Sequence, residues 1–340
     1  MPPLISPLTP DRPILVIDGF NCFLRFFFAS QEINSKSEPV GGVVGFMRFL
    51  DNIVGLFCPA KVYVVWEQGG PSPRRKHISK DYKANRAKMK EMKKIQNGTD
   101  SMRDTLALDN ETRIQQLTML AAILKTTPVC QIYLPETECD DIVAYLAKDL
   151  FRNSTARKII VSNDKDFYQL LDDPMINIYD PATKRIIDDK EVMTKFGISA
   201  RNFCMAKSIS GDDSDNVSGI PGAGFKTAVK RFPKLASTDE DVTIASLLEE
   251  AKIGKSATKK PPMIYEEVLN NEELLRRNWS LMYLNSSNLS ASQIAKVNYI
   301  VENHVPNMDK LALIKTIIGY GINSTIDYDR FCSQLRNYLR

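Results

Sequence analysis

Hydrophobic positions along the chain fall into two recurring patterns. Short β-branched runs at residues 14–17, 62–66 and 158–161 each stop at or just before a carboxylate: Asp18, Glu67 and Asp164. Continuous apolar runs of this length predict buried strands of a parallel sheet. Between them, residues 45–57, 114–124 and 140–151 carry apolar side chains at helical spacing. The alternation predicts an α/β fold with a mostly parallel central sheet. Open sheets of this kind bind ligands beyond the carboxyl ends of their strands, so Asp18, Glu67 and Asp164 are expected to converge. From about residue 202 the strand signal fades and a mainly helical part begins. Two polar stretches read as breaks: residues 96–103, and residues 252–262, K-I-G-K-S-A-T-K-K-P-P, an exposed loop.

Composition narrows the chemistry. The 340 residues, 43% hydrophobic and 25% charged, are ordinary globular material. Six cysteines without a C-x-x-C pair argue against a zinc ribbon or a disulfide scaffold, and point to a reducing compartment. With only His77 and His304 available, any metal must be carried by carboxylates. No apolar run reaches membrane-spanning length, and residues 1–12 lack a signal-peptide pattern, so a soluble, cytoplasmic protein without a membrane partner is expected. The net charge is only +4, yet residues 74–94 hold ten Lys or Arg against two acidic residues. A local basic patch of that strength suits a polyanion.

Residues 211–227, G-D-D-S-D-N-V-S-G-I-P-G-A-G-F-K-T, join two kinds of chemistry. Asp212 and Asp215, three apart, would share a face of one helical turn and could hold a hard divalent cation. Gly219, Gly222 and Gly224 permit the tight turns that aim backbone N–H groups at a phosphate. Upstream lie further acidic groups: Glu138, Asp140 and Asp141 in T-E-C-D-D-I-V-A, and Asp164 with Asp166 in S-N-D-K-D-F. Taken singly, each reads equally well as a cap or turn residue. Gathered at one site they would repel unless divalent cations such as Mg²⁺ or Mn²⁺ neutralised them. Two such ions can clamp the attacking and leaving oxygens of a phosphodiester.

These motifs, in this order from residue 14 to about residue 230, resemble the 5′ nucleases: flap endonucleases, the 5′-3′ exonuclease domain of bacterial DNA polymerase and the phage ribonuclease H type. V-I-D-G-F-N, E-C-D-D-I-V-A, S-N-D-K-D-F and G-D-D-S-D-N-V-S-G-I-P-G-A-G-F-K-T-A carry the likeness. It implies a PIN-like α/β nuclease domain over residues 1–205, with a helical arch or clamp at about 74–125. A helical DNA-binding part follows over 206–340, with a helix–three-turn–helix element at about 206–232. By the same resemblance the metal ligands are Asp18, Glu67, Glu138, Asp140, Asp141, Asp164, Asp166, Asp212 and Asp215, with Asp213 a less favoured alternative to Asp212. Arg25 and Lys83 would contact the scissile phosphate. Tyr82 and Arg86 in D-Y-K-A-N-R, Lys207, Gly219, Gly222, Gly224, Lys226 and Thr227 would bind nucleic acid. Glu67 departs from the family's usual Asp, and its extra methylene changes its reach. The implied cofactors are two Mg²⁺ ions, with Mn²⁺ able to stand in, and a K⁺ at the Gly-rich hairpin. The implied partners of this monomer are flap, nicked or primer-bearing duplex DNA and RNA/DNA hybrid, with a single-strand binding protein or sliding clamp by analogy. Removal of RNA primers and 5′ flaps is the expected role. A non-catalytic DNA-binding module and a PIN-type ribonuclease remain as alternatives.

Overall fold

The computed structural model describes residues 12–67, 70–84, 100–257, 259–322 and 327–336, with the backbone alone over 100–109. A six-stranded sheet in the order β3-β2-β1-β4-β5-β6 forms its centre. Its strands are β1 (Ile14–Asp18), β2 (Lys61–Trp66), β3 (Cys130–Tyr133), β4 (Lys158–Val161), β5 (Ile176–Asp180) and β6 (Arg185–Ile187). The first five run parallel, and β6 closes one edge antiparallel to β5. The three strands expected from the sequence are present; β3, β5 and β6 are additional. They are less legible because β3, C-Q-I-Y, interleaves Gln with its apolar residues and β5 interleaves Asn and Tyr with its isoleucines.

Alternation along each strand divides the molecule into two apolar layers. Leu15, Ile17, Val62, Val64 and Val161 face one side, where α1 (Gly19–Ala29), α2 (Gly41–Phe57) and the far end of α4 (Asp100–Leu124) cover them. Val16, Val65, Ile132 and Ile160 face the other. That side is covered by α5 (Cys139–Ala144), which continues as a π-helical turn over Tyr145–Leu150, and by helices from the second half of the chain. Among these are α7 (Phe203–Ser210), α8 (Phe225–Arg231), α9 (Ile244–Ser256), α10 (Met263–Asn270), α11 (Glu272–Met282) and α12 (Ala291–Asn303), preceded by α6 (Asp189–Phe196).

The boundary expected at 205/206 is not a break in packing. Ile160 and Phe203 share one cluster with Leu247 and Val297. The last helices, α13 (Lys310–Gly319) and α14 (Tyr328–Arg336), cross to the opposite layer and bring Leu313, Ile317 and Phe331 into its cluster, α13 against α4 and α14 against α2. Two loop expectations also change. Residues 252–256 are the last turns of α9, which runs through Gly254, where the Tyr265 ring packs so close that an added Cβ would lie 2.5 Å from it. Residues 100–103 are helical within α4, while 96–99 lie outside the described residues, as do residues 1–11.

Candidate active site

The carboxyl ends of the parallel strands gather the acidic groups. Asp18 ends β1 and caps α1, accepting from the Asn21 backbone N–H at 3.0 Å and from Ser162 Oγ at 3.1 Å. Asp164 follows β4 and caps a 3₁₀ turn by accepting from the Asp166 N–H at 2.9 Å. The sequence leaves β1 toward β2 on one side while β4 lies on the other, so these two carboxylates stand at the topological switch point of the sheet. Glu67 follows β2 and accepts from the Cys139 N–H at 3.3 Å, which ties it to the start of α5. Asp140 lies in the first turn of α5.

None of Asp18, Glu67, Asp140 and Asp164 has an ion-pair partner among the described residues. Burial and the neighbouring carboxylates outweigh the more distant cations Lys83, Arg75 and Lys207 at Asp140 and Asp164. Burial, with Glu67 and Asp164 facing it, pushes the Asp18 carboxyl up to about 7. Burial and the neighbouring Asp166 raise Asp164 to about 6. Burial and Asp164 lift Asp140 well above the usual carboxylate range. Among the described residues no three such groups stand close enough to hold an ion as placed, the arrangement that repulsion between uncompensated carboxylates favours. The set nonetheless fits a hard divalent cation: all donors are oxygens, and a dication between them would reverse the upward shifts just described.

The remaining acidic residues are held by cations of the chain itself. Lys207, on α7 and only 5% exposed, bonds Asp166 and also Asp212, the latter at 2.6 Å. Lys83, 8% exposed, lies 2.5 Å from Glu138 and 3.9 Å from Asp215. Arg75, 1% exposed, forks onto Asp141 at 2.9 and 3.1 Å and reaches Glu138 at 3.0 Å. Against the cost of burial, Arg75 and Lys83 hold the Glu138 carboxyl down to about 2. Lys207 likewise outweighs burial and keeps Asp212 below its ordinary value. The nine candidate ligands therefore divide into four without a cationic partner and five beside one.

Asp212 and Asp215 do not share a helical face. A two-residue hairpin, β7 (Gly211–Asp212) and β8 (Val217–Ser218), frames a single 3₁₀ turn between them. The turn sends Asp212 to Lys207, and sends Asp215 to the Tyr82 hydroxyl, which donates to it at 2.9 Å. Burial keeps that phenol protonated and hence a donor. The hairpin is possible only with glycine at its crossing. Gly211 has φ +76, and a Cβ on it would lie 2.3 Å from the Gly219 nitrogen. Gly222, at φ +72, and Gly224, which precedes α8, have open space around them instead. Lys226 is exposed and Thr227 half-buried on α8. Arg25 is exposed on α1, while Arg86 lies outside the described residues.

A family model for the 5′-3′ exonuclease N-terminal, resolvase-like domain matches residues 13–197, more than half of the chain. The chain belongs to the 5′-3′ exonuclease family. It is 28% identical over 232 residues to a 5′-3′ exonuclease of Buchnera aphidicola subsp. Schizaphis graminum, covering 68% of this chain and 73% of that one. With a Bacillus subtilis 5′-3′ exonuclease it is 29% identical over 256 residues, 72% and 78% of the two chains. Its fold is similar to a bacteriophage T5 5′-exonuclease bound to zinc ions, at TM-score 0.64 and 18% identity over 91% of this chain and 98% of that one. It is similar also to a bacteriophage T5 flap endonuclease solved with DNA and metal ions, at TM-score 0.63 and 19% identity over 91% and 99%.

In this 5′-3′ exonuclease-family chain, three site neighbours were not legible beforehand. Ser162 and Cys139 sit inside the S-N-D-K-D-F and T-E-C-D-D-I-V-A motifs beside the carboxylates that drew notice: Ser162 donates to Asp18, and the Cys139 thiol, held protonated by burial, lies beside Asp18 and Glu67. Arg75 belongs to the basic segment expected to meet a polyanion. Instead both Arg74 and Arg75 turn into the body, donating to the carbonyls of Ser280 and Leu281 at 2.8 Å.

Proposed function

We propose that the protein is a metal-dependent, structure-selective 5′ nuclease, hydrolysing phosphodiesters at 5′ ends and 5′ flaps and leaving a 5′-phosphate. The observation that carries this reading is the unpartnered quartet of Asp18, Glu67, Asp140 and Asp164 at the sheet's switch point, in a chain of the 5′-3′ exonuclease family. Those four side chains would hold the divalent ions, Mg²⁺ with Mn²⁺ as substitute, and the five cation-paired carboxylates would join through water or by exchanging partners. Bound there, such an ion supplies Lewis-acid polarisation of the phosphodiester and an acidified water.

The chain's own residues do the rest. Lys83 and Lys207 border the quartet as fixed positive charges, and their carboxylate partners, outweighing burial, hold both ammonium groups firmly protonated. Cations so placed favour charge developing on a phosphate in the transition state. Arg25, exposed on the helix that Asp18 caps, is free to reach a phosphate from the open side. The hairpin glycines and α8, with Lys226 and Thr227, would hold duplex by its backbone without reading sequence, with K⁺ assisting there. Flap, nicked or primer-bearing duplex DNA and RNA/DNA hybrid are the proposed substrates, primer removal the proposed role, and a single-strand binding protein or sliding clamp the proposed company.

Asp164→Ala is expected to lower cleavage of a labelled 5′ flap by several orders of magnitude while flap binding persists. Turnover unchanged in that variant would sink the assignment. Wild-type binding without cleavage, in Mg²⁺ as in chelator, would favour a binding module instead.

A further inference from the structure

Arg75 is the largest fully buried side chain of the described residues, yet neither the acidic quartet nor the proposed phosphate contacts use it. Its guanidinium sits where three elements meet. It lies on α3 (Pro73–Ile78), donates through Nε to the Leu281 carbonyl on α11, and forks onto Asp141 of α5. A fourth contact, an ion pair of 3.0 Å from Nη1 to Glu138 Oε1, bears on one oxygen of Glu138, which also accepts from the Ser72 N–H at 2.9 Å. The other oxygen holds Lys83 Nζ at 2.5 Å. The chain thus runs Arg75, Glu138, Lys83, each link charged and buried.

Lys83 itself is strained. Its φ is +58, the left-handed region that a side chain with a Cβ disfavours. It is held there by its own N–H donating to the Asp215 carbonyl at 2.8 Å, by the neighbouring Tyr82 hydroxyl on the Asp215 carboxylate, and by Asn216 Nδ2 on the Asp81 carbonyl at 2.7 Å. A backbone kept in such a conformation marks a position that the surroundings over-determine. The side-chain half of that determination comes through Glu138. A carboxylate free to rotate would not fix an ammonium; one clamped on its far oxygen by a planar guanidinium does.

From these contacts, and resting on the nuclease reading above, we infer that Arg75 is a positioning residue that sets Lys83 beside the acidic centre through Glu138. It touches no substrate. Its fork fixes Asp141 and Glu138 together, leaves Asp140 alone of the three α5-start acids to face the quartet, and pins the entrance of the basic segment to α11.

The test substitutes Arg75→Lys, which keeps charge and much of the bulk but loses the planar guanidinium whose separate nitrogens grip Asp141 twice, reach Glu138 and bond the Leu281 carbonyl at once. The first readout is acetylation of individual lysines in the metal-free full chain, followed by peptide mass spectrometry. In the wild type, Lys83 should react at least about tenfold more slowly than exposed Lys80, and in the variant its reactivity should rise toward that of Lys80. The second readout is kinetic: kcat on a 5′ flap should fall about tenfold or more with KM for DNA within about twofold, the sign of a misplaced group rather than weakened binding. A purely structural Arg75 would lower the melting temperature and leave Lys83 protected and kcat intact, which overturns the inference. Wild-type Lys83 as reactive as Lys80 overturns it too, and decides the matter should the variant not fold. Failure of the wild type to cleave flaps would remove the nuclease reading but not the labelling result, so the two failures are distinguishable.

Discussion

At the scale of single residues, the acidic centre is a set of charges that folding brings together at a cost. Asp18 and Asp164 carry folded values of about 7 and about 6 against an ordinary 3.8, so each takes up a proton on folding somewhere between those limits. More protons bound in the folded state means stability that falls as pH rises through that window. Glu138 works in the opposite direction and elsewhere: held down to about 2, it contributes stability above its ordinary 4.5 that is lost only as pH falls toward 2. The metal-free protein should therefore melt at a lower temperature at about pH 8 than at about pH 5, and millimolar Mg²⁺ should raise the pH 8 value far more than the pH 5 value. Differential scanning fluorimetry across that range checks it; a metal-free melting temperature flat between the two pH values would contradict the mutual repulsion of the quartet.

At the scale of elements, the Gly-rich segment is a hairpin fastened from behind. Asn278, on α11 and fully buried, donates to the carbonyls of Ser208 on α7 and Ser218 on β8, at 3.0 and 2.8 Å. One amide thus joins the helix before the hairpin to its returning strand. Truncating it leaves two buried carbonyls without their donor, and a buried unsatisfied group costs about 1–3 kcal/mol. Asn278→Ala should lower unfolding stability by about 2–4 kcal/mol in urea titrations, while Asn278→Asp, which supplies no N–H, should do no better. The sequence marks this segment clearly, since glycines at 211 and 219 are required where the two strands cross at under 2.5 Å from any added Cβ. It does not mark Asn278, sixty residues beyond Ser218, because a buried amide at one position of an amphipathic helix has no periodic signature.

For the whole molecule, the last helices are part of the nuclease core. Leu313 and Ile317 of α13, against α4, and Phe331 and Leu335 of α14, against α2, belong to one apolar cluster with Leu50 and Ile53, and Arg330 reaches Asp51 at 2.7 Å. The Asp309 N–H donates to the Thr126 carbonyl just past α4, closing the same layer. Ending the chain at His304 strips that cover from the helix layer behind β1. Such a truncation should bind a hydrophobic dye and melt many degrees lower, although it leaves every proposed ligand in place; an unchanged melting curve would show that α13 and α14 add nothing to the core.

What the sequence determined by itself were the groups whose identity is also their chemistry. Apolar runs ending in Asp18, Glu67 and Asp164 specify strands and place acids at their carboxyl ends, because a parallel strand buried on both faces can be written only in such residues. The glycine spacing of the hairpin is equally explicit, since a Cβ at Gly211 or Gly219 would collide with backbone. Tertiary structure alone decided the pairing of charges. Which carboxylate meets Lys83, which meets Arg75 and which has no ion-pair partner depends on side chains tens to more than a hundred residues apart, and Coulomb energy depends on separation in space rather than along the chain.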